Sequence, residues 1–296
     1  MALKKELSAR YDRSIKLFGA EGQRKLRQIS VAVVGIGGLG SAMVQQLALL
    51  GVGSIELIDS EDLDETNRNR FIGARSDDPV PGSLKVNLGH RLVQEVNPEV
   101  ISNAIPRQLI SPQAFTAIKD ASWVIGCFDE DGPRAVLNEL CAAYAKPYID
   151  LASDVPEPGV YGGRVCVAYD GNGCLSCFDL LDRKAVRRYI QPEEEIVEED
   201  KIYGVDRGAL DEKGPSVAPL NSVVASLAAM EFMVAVTGMR APTRLQEYRG
   251  NLSKVLVITD PPKPNCFICG SVWGCGEAAE VERYLALPKF LGDRPT

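Results

Sequence analysis

The sequence predicts an α/β fold, a Rossmann-like doubly wound and mostly parallel sheet extended by an antiparallel β part. Three observations carry this. Between residues 29 and about 150, short apolar β-branched runs alternate with segments of helical apolar spacing. The first run, Ile29 to Val34, passes directly into a G-x-G-x-x-G turn at Gly35, Gly37 and Gly40. From Gly159 the pattern changes to an alternation suited to antiparallel strands, and two C-x-x-C pairs follow.

Taken in order, residues 1–28 form a polar, helical N-terminal segment, and residues 29–170 the nucleotide-binding region. Ile29 to Val34 reads as a strand buried on both faces. The glycines after it, Gly35, Gly37, Gly38 and Gly40, suit a turn that bends sharply and lets a phosphate approach N–H groups at a helix start. Ser41 to Leu50 continues as that helix. A second strand, Ser54 to Ile58, ends in Asp59, 24 positions after Gly35, where an acid can hydrogen-bond a ribose hydroxyl.

The text beyond Asp59 points away from a dinucleotide. Asn67 and Arg70 lie in a polar loop within a dozen residues, and a fixed donor beside a guanidinium suits the charge of a triphosphate. Residues 71–82 are a loop rich in Asp, Pro and Gly. Lys85 opens a helix that Asn97-Pro98 ends. Val100 to Ile105 reads as a strand, Ser111 to Lys119 as a helix, and Trp123 to Phe128 as a strand stopping at Asp129. Arg134 to Tyr144 reads as a helix and Tyr148 to Leu151 as a short buried strand.

Residues 171–270 are read as a crossover segment, a long helix and a zinc-stapled end of the same domain. The stretch 179–213, with Arg183, Lys184, Arg187 and Arg188 ahead of the acidic block from Glu193 to Asp200, reads as a mobile surface segment. Pro219 to Val236 reads as a long apolar helix and Leu245 to Asp260 as a strand pair. Cys174, Cys177, Cys266 and Cys269 have the spacing of one tetrahedral, structural Zn²⁺ site. Residues 271–296 are a tail about which the sequence says little.

Composition sets outer bounds. A chain of 296 residues, 45% hydrophobic and with net charge −7, can bury a sizeable core. It offers no basic stripe for nucleic acid. No apolar run is expected to approach the length needed to span a bilayer, and MALKKELSAR lacks the apolar core of a signal peptide, so the cytoplasm is expected.

Several spacings together resemble one family. Arg10-Tyr11-Asp12-Arg13, the turn Gly35 to Gly40, Thr66-Asn67-Arg68-Asn69-Arg70, the series Asp129, Arg134 and Asn138, and the paired C-x-x-C motifs match the ThiF/MoeB/HesA adenylyltransferases. These are prokaryotic relatives of ubiquitin-activating enzymes, and the resemblance covers residues 8 to 270. It implies ATP-dependent adenylation of a C-terminal carboxylate, usually that of a ubiquitin-like or sulfur-carrier protein, by a homodimer. By resemblance Asp59 holds the ribose, Asn67 and Arg70 the phosphates, Lys85 the α- or β-phosphate, and Asp129 a Mg²⁺ ion. Arg13 reaches across the dimer to the γ-phosphate, in the manner of an arginine finger.

Two departures stand out. No cysteine lies between Cys177 and Cys266, where thioester-forming relatives carry their nucleophile, and Gly214-Pro215-Ser216 occupies that region. This predicts a reaction that stops at the adenylate. Phe71 stands where many relatives have Gln, which puts details of the triphosphate pocket in question. Three other readings are kept: adenylation of a short peptide, a nicotinamide-dependent oxidoreductase resting on the glycine turn and Asp59, and an idle module that recruits a ubiquitin-like partner.

Overall fold

A computed structural model of the chain describes residues 9–192, 194–197 and 214–293, the last three by backbone alone. Its organising element is an eight-stranded sheet of order β3-β2-β1-β4-β5-β6-β7-β8. The parallel half is β1 (Ser30–Val34), β2 (Ser54–Ile58), β3 (Ile101–Ile105), β4 (Trp123–Gly126) and the start of β5 (Tyr148–Glu157). From β5 onward the pairing is antiparallel, through β6 (Val160–Ala168), β7 (Leu245–Arg249) and β8 (Lys254–Val257).

Helices cover both faces, as a doubly wound sheet requires. α2 (Gly38–Leu50), α3 (Lys85–Val96) and α7 (Ala218–Thr237) pack one core with the fully buried Val31, Val33, Leu47 and Ile55. α4 (Pro112–Asp120) and α5 (Asp131–Ala143) pack the other with Val34, Val124, Leu137 and Tyr148. The predicted elements therefore form with small changes of boundary. β5 is the largest such change: it runs ten residues, because its second half gains β6 as a partner.

α1 (Asp12–Gln28) is kinked at Gly19, whose φ is +78°. It is anchored by Tyr11, which is 1% exposed and accepts a 2.8 Å hydrogen bond from Asn97 Nδ2. The Arg10 guanidinium donates to the Val96 carbonyl at 2.6 Å.

Three expectations need correction. Within the segment 179–213, expected to be mobile, residues 183–190 form a seated helix. Asp182 caps α6 (Arg183–Ile190) at the Lys184 N–H, and α6 packs on α5; residues 193 and 198–213 lie outside the described residues. Like charges repel, but Tyr189 and Ile190 bury enough apolar surface against the α5 side of the sheet to seat this helix.

The C-terminal tail is also packed. Val272, Val281, Tyr284 and Phe290 are buried in the α4–α5 core. Glu139 on α5 accepts hydrogen bonds from Tyr284 Oη at 2.6 Å and from Arg283 Nη2 at 2.7 Å.

Finally, α7 spans 20 residues at a mean hydropathy of 1.6, long and apolar enough to cross a membrane by length and composition. It is a core helix: Val224, Ala225, Ala228 and Phe232 are fully buried, and Trp123 meets Phe232 edge-on at 5.5 Å. Its Glu231, 2% exposed, binds both terminal nitrogens of Arg240, the Thr243 N–H and Gln246. A buried carboxylate fixed by four donors belongs to a protein interior.

Candidate nucleotide site

The C-terminal ends of β1, β2, β3 and β4 open onto one cleft of about 440 Å³, where ligands of open α/β sheets bind. Its floor is the glycine turn. Gly35 takes φ +88°, a left-handed conformation that favours glycine, and its N–H donates to the Ile58 carbonyl at 2.9 Å. Gly37 caps α2, whose first N–H groups have no partner within the helix. Gly40 does not line the cleft. A Cβ there would lie 2.0 Å from the Gly35 carbonyl oxygen, so its task is to let the helix close on the turn.

Asp59 lies at the rim and braces this floor. Its Oδ2 accepts the Ile36 N–H at 2.7 Å and its Oδ1 the Glu61 N–H at 2.8 Å. Burial raises its pKa above the usual carboxylate value, opposed by the charge of Lys85 and by those two N–H groups.

The loop after β2 brings three more expected residues to the cleft. Asn67 is buried, and its Oδ1 accepts the Asp64 N–H at 3.2 Å while Asp64 holds the Thr66 N–H, a local cap that fixes the turn. Arg70 folds its guanidinium onto the Thr66 carbonyl and, at 3.3 Å, onto Asn69 Oδ1. Lys85, 6% exposed, pairs with the Glu61 carboxylate. A buried ammonium with one exposed counter-ion is a cation poised for a second anion. Phe71 is not part of the cleft: it is 4% exposed in the core beneath.

Asp129 sits past β4, exposed and lining the cleft. It does not cap α5, whose N-cap residue is Glu130. Arg134 and Asn138, predicted in series with it, point elsewhere. Arg134 binds Asp150 Oδ2 at 2.6 Å and holds the Phe128 carbonyl, fixing the strand end that carries Asp129. Asn138 Oδ1 accepts the Leu175 N–H at 3.3 Å, steadying the first cysteine knuckle. Arg13 is exposed on α1 and outside the cleft of its own chain.

Sequence reading missed several residues. Asn221, 1% exposed at the start of α7, lines the cleft and joins Ser153 Oγ at 3.1 Å and Ser216 Oγ at 3.1 Å. A Cβ on Gly38 would strike its Nδ2 at 2.3 Å. Ser41 Oγ accepts the Ile72 N–H at 3.0 Å, tying the phosphate loop to α2. Asp78 does the same from outside: it accepts both terminal nitrogens of Arg91, at 2.6 and 2.7 Å, and the Arg75 N–H. A polar residue such as Ser41 or Asn221 inside an apolar run was the available signal, and it does not reveal a partner 31 or 68 positions away.

A second groove, also about 440 Å³, runs over β5, β6 and β7 between Tyr161, Arg164, Tyr248 and Leu252. Asp154 lines both spaces.

The four predicted cysteines converge away from the cleft. Their sulfurs all lie within 4.8 Å of one another, with Cys174–Cys177 and Cys174–Cys266 at 3.8 Å and Cys177–Cys269 at 3.4 Å. Tetrahedral ligands at a Zn–S distance of about 2.3 Å stand about 3.8 Å apart, so the set fits zinc. Hydrogen bonding from the Cys269 thiol pulls the Cys174 pKa down to about 5 against the effect of burial. Cys141 and Cys166 are core residues; Cys127, also buried, touches the cleft wall.

A glycine turn at a helix start, a braced acid and a cationic loop define a nucleotide-binding α/β protein. Residues 11–268 match the ThiF family, and the chain belongs to it. It is 28% identical to the vegetative HesA protein of Trichormus variabilis over 88% of this chain and 89% of that one. To the molybdopterin-synthase adenylyltransferase of Escherichia coli it is also 28% identical, covering 88% and 96% of the two chains. The adenylyltransferase and sulfurtransferase UBA4 of Lodderomyces elongisporus is 32% identical over 57% of this chain, a match spanning 37% of its own length. Among solved structures, E. coli MccB with ATP shares the fold at a TM-score of 0.68 and 21% identity, over 89% of this chain and 75% of that one. The chain is an enzyme of the ATP-dependent adenylyltransferase class.

Proposed function

We propose that this enzyme activates the C-terminal carboxylate of a ubiquitin-like or sulfur-carrier protein as an acyl-adenylate and stops there. The observation that carries this is the cleft itself. A turn open to phosphate, a ribose acid and the cations Arg70 and Lys85 face one space, and Asp154 at its edge also lines the groove over β5, β6 and β7.

In the reaction a carboxylate oxygen attacks the α-phosphorus of ATP. The bond from that phosphorus to the β-bridging oxygen breaks, and pyrophosphate leaves with the electron pair. Anion meets anion, so the chain has to position both partners and spread the charge. Lys85 and Arg70 supply positive charge at the phosphates, and Asn67 and the α2 N–H groups supply donors. Asp129 presents an oxygen ligand suited to Mg²⁺, which would neutralise phosphate charge when bound. Arg13, on an exposed helix face, is proposed to act in the partner's cleft of a homodimer. We place the enzyme in the cytoplasm.

Among the described residues, the cleft shows no nucleophile paired with a base; Cys127 in its wall is buried. Ser216 hydrogen-bonds Asn221 rather than a base, and the sole histidine, His90 on α3, is held by Ser102 on β3.

ATP–pyrophosphate exchange with Gly-Gly-terminated carrier proteins tests the proposal. Exchange is expected with a cognate acceptor, and Asp129→Ala and Lys85→Ala should each slow it about a hundredfold. Full-rate exchange by a folded Asp129→Ala variant would remove the assignment. The fold shared with MccB, also solved with AMPCPP and MccA, makes short peptides the second acceptor class for the same assay.

A further inference from the structure

The C-terminal segment reaches the nucleotide cleft through one side chain. Tyr189, on α6, lines the cleft together with Leu109, Phe128 and Pro133. These apolar groups belong to the α4–α5 side of the sheet, where Phe128 and Tyr189 pack on the core containing Leu109. The phosphate end, with α2 and α3, belongs to the other side. The cleft thus carries Arg70 and Lys85 at one end, and at the other its aromatic and apolar groups, interspersed with Arg107, Gln108 and Glu130. A nucleotide matches that division with its phosphates and its base.

Tyr189 is held from two directions. A Cβ on Gly132 would lie 2.2 Å from the Tyr189 Cβ and Cγ, so α6 seats there only because residue 132 lacks a side chain. From the other side Phe290 meets the Tyr189 ring at 5.5 Å, and the Lys289 ammonium lies 5.0 Å from its centroid. Phe290 is itself buried, and the segment before it is anchored on α5 by Tyr284 and Arg283. An aromatic ring fixed by an aromatic, a cation and a helix, yet still at the wall of a ligand cleft, is pre-organised for a planar partner.

We propose that Tyr189 forms the nucleobase wall of the cleft, and that Phe290 and Lys289 set its position, so that the C-terminal segment governs nucleotide affinity. This rests on reading the cleft as an ATP site. Tyr189 meets the base directly; Phe290 is a positioning residue that acts through it.

The test compares ATP with inorganic tripolyphosphate, which has the charge but no base, by equilibrium binding to the full chain with Mg²⁺. Base–aromatic contacts are worth enough that Tyr189→Ala should weaken ATP about tenfold, while tripolyphosphate stays within about twofold. Tyr189→Phe keeps the ring and should bind ATP as the wild type does. Phe290→Ala should weaken ATP in the same direction and spare tripolyphosphate. The proposal is overturned if Tyr189→Ala binds ATP normally, or loses both ligands equally. Normal ATP binding by Phe290→Ala would overturn the role of the C-terminal segment. A wild-type chain that binds tripolyphosphate but gains nothing from the base would instead sink the ATP reading beneath it.

Discussion

The Asp59 carboxylate accepts a 2.7 Å hydrogen bond from the N–H of Ile36, in the middle of the glycine turn. An acid expected only to meet a ribose therefore also shapes the phosphate floor. One oxygen steadies the turn after β1 and the other holds the Glu61 N–H after β2, so each oxygen keeps further acceptor capacity toward the cleft.

Replacing Asp59 with Ala should consequently cost more than one ligand contact. ATP binding is expected to fall at least about tenfold, since a charge-assisted hydrogen bond contributes about 1.5–3 kcal/mol. Tripolyphosphate binding should fall as well, because the turn loses its brace. If only nucleotide binding drops and tripolyphosphate holds, Asp59 serves the ribose alone.

Asp78 should make stability acid-sensitive. Hydrogen bonds from Arg91 hold its carboxyl down to about 2, against the opposing effect of burial, below an ordinary value of 3.8. A folded-state pKa below the unfolded one means stability fully present above about pH 4 and lost as pH falls toward 2. Asp78→Asn should flatten that slope and lower the melting temperature at pH 7. Thermal melts of both proteins between pH 2 and 6 make the comparison; parallel curves would show that the pair contributes nothing.

The cysteine cluster should carry about one zinc per chain, measurable by atomic absorption. Stripping it with a strong chelator is expected to loosen the knuckles at Cys174 and Cys266 and the C-terminal segment that follows, while the parallel half of the sheet persists. Limited proteolysis should then cut first near those knuckles. Uniform digestion across the chain, or an unchanged pattern after metal loss, would count against a local staple.

Arg13 can be tested by complementation. If it acts in the partner's cleft, Arg13→Ala and Asp129→Ala are each inactive alone, but mixed subunits pair one intact cleft. A random mixture should recover about a quarter of wild-type activity, because half the dimers are mixed and each has one complete site. Full activity of Arg13→Ala alone would place Arg13 outside the reaction, and an inactive Arg13→Ala that gains nothing on mixing would rule out a role in the partner's cleft.

The parallel half of the fold was legible because its signals are local. Buried strands, a helix start and a glycine turn are set by neighbours within a few residues, and Gly35, Asp59, Asn67, Arg70, Lys85 and Asp129 all line one cleft as their spacing implied. The cysteine spacing was equally readable, since four thiols in two C-x-x-C pairs have few other uses. Even the helical calibre of α7 showed, though not that its surroundings would bury it.

What the linear text left open depends on contacts between distant segments. Whether α6 docks was decided by Gly132, some 50 positions earlier, and the seating of the C-terminal segment by Glu139 on α5. Asn221 joined the cleft only because α7 crosses the sheet beside Ser153. The pattern of residues determined a nucleotide-binding sheet and the charged residues at the mouth of its cleft; packing alone decided which polar side chains line that cleft and which brace the frame. The reason is energetic: periodicity records which face of an element is apolar, whereas a buried polar group is satisfied by whichever partner the folded chain brings within hydrogen-bond reach.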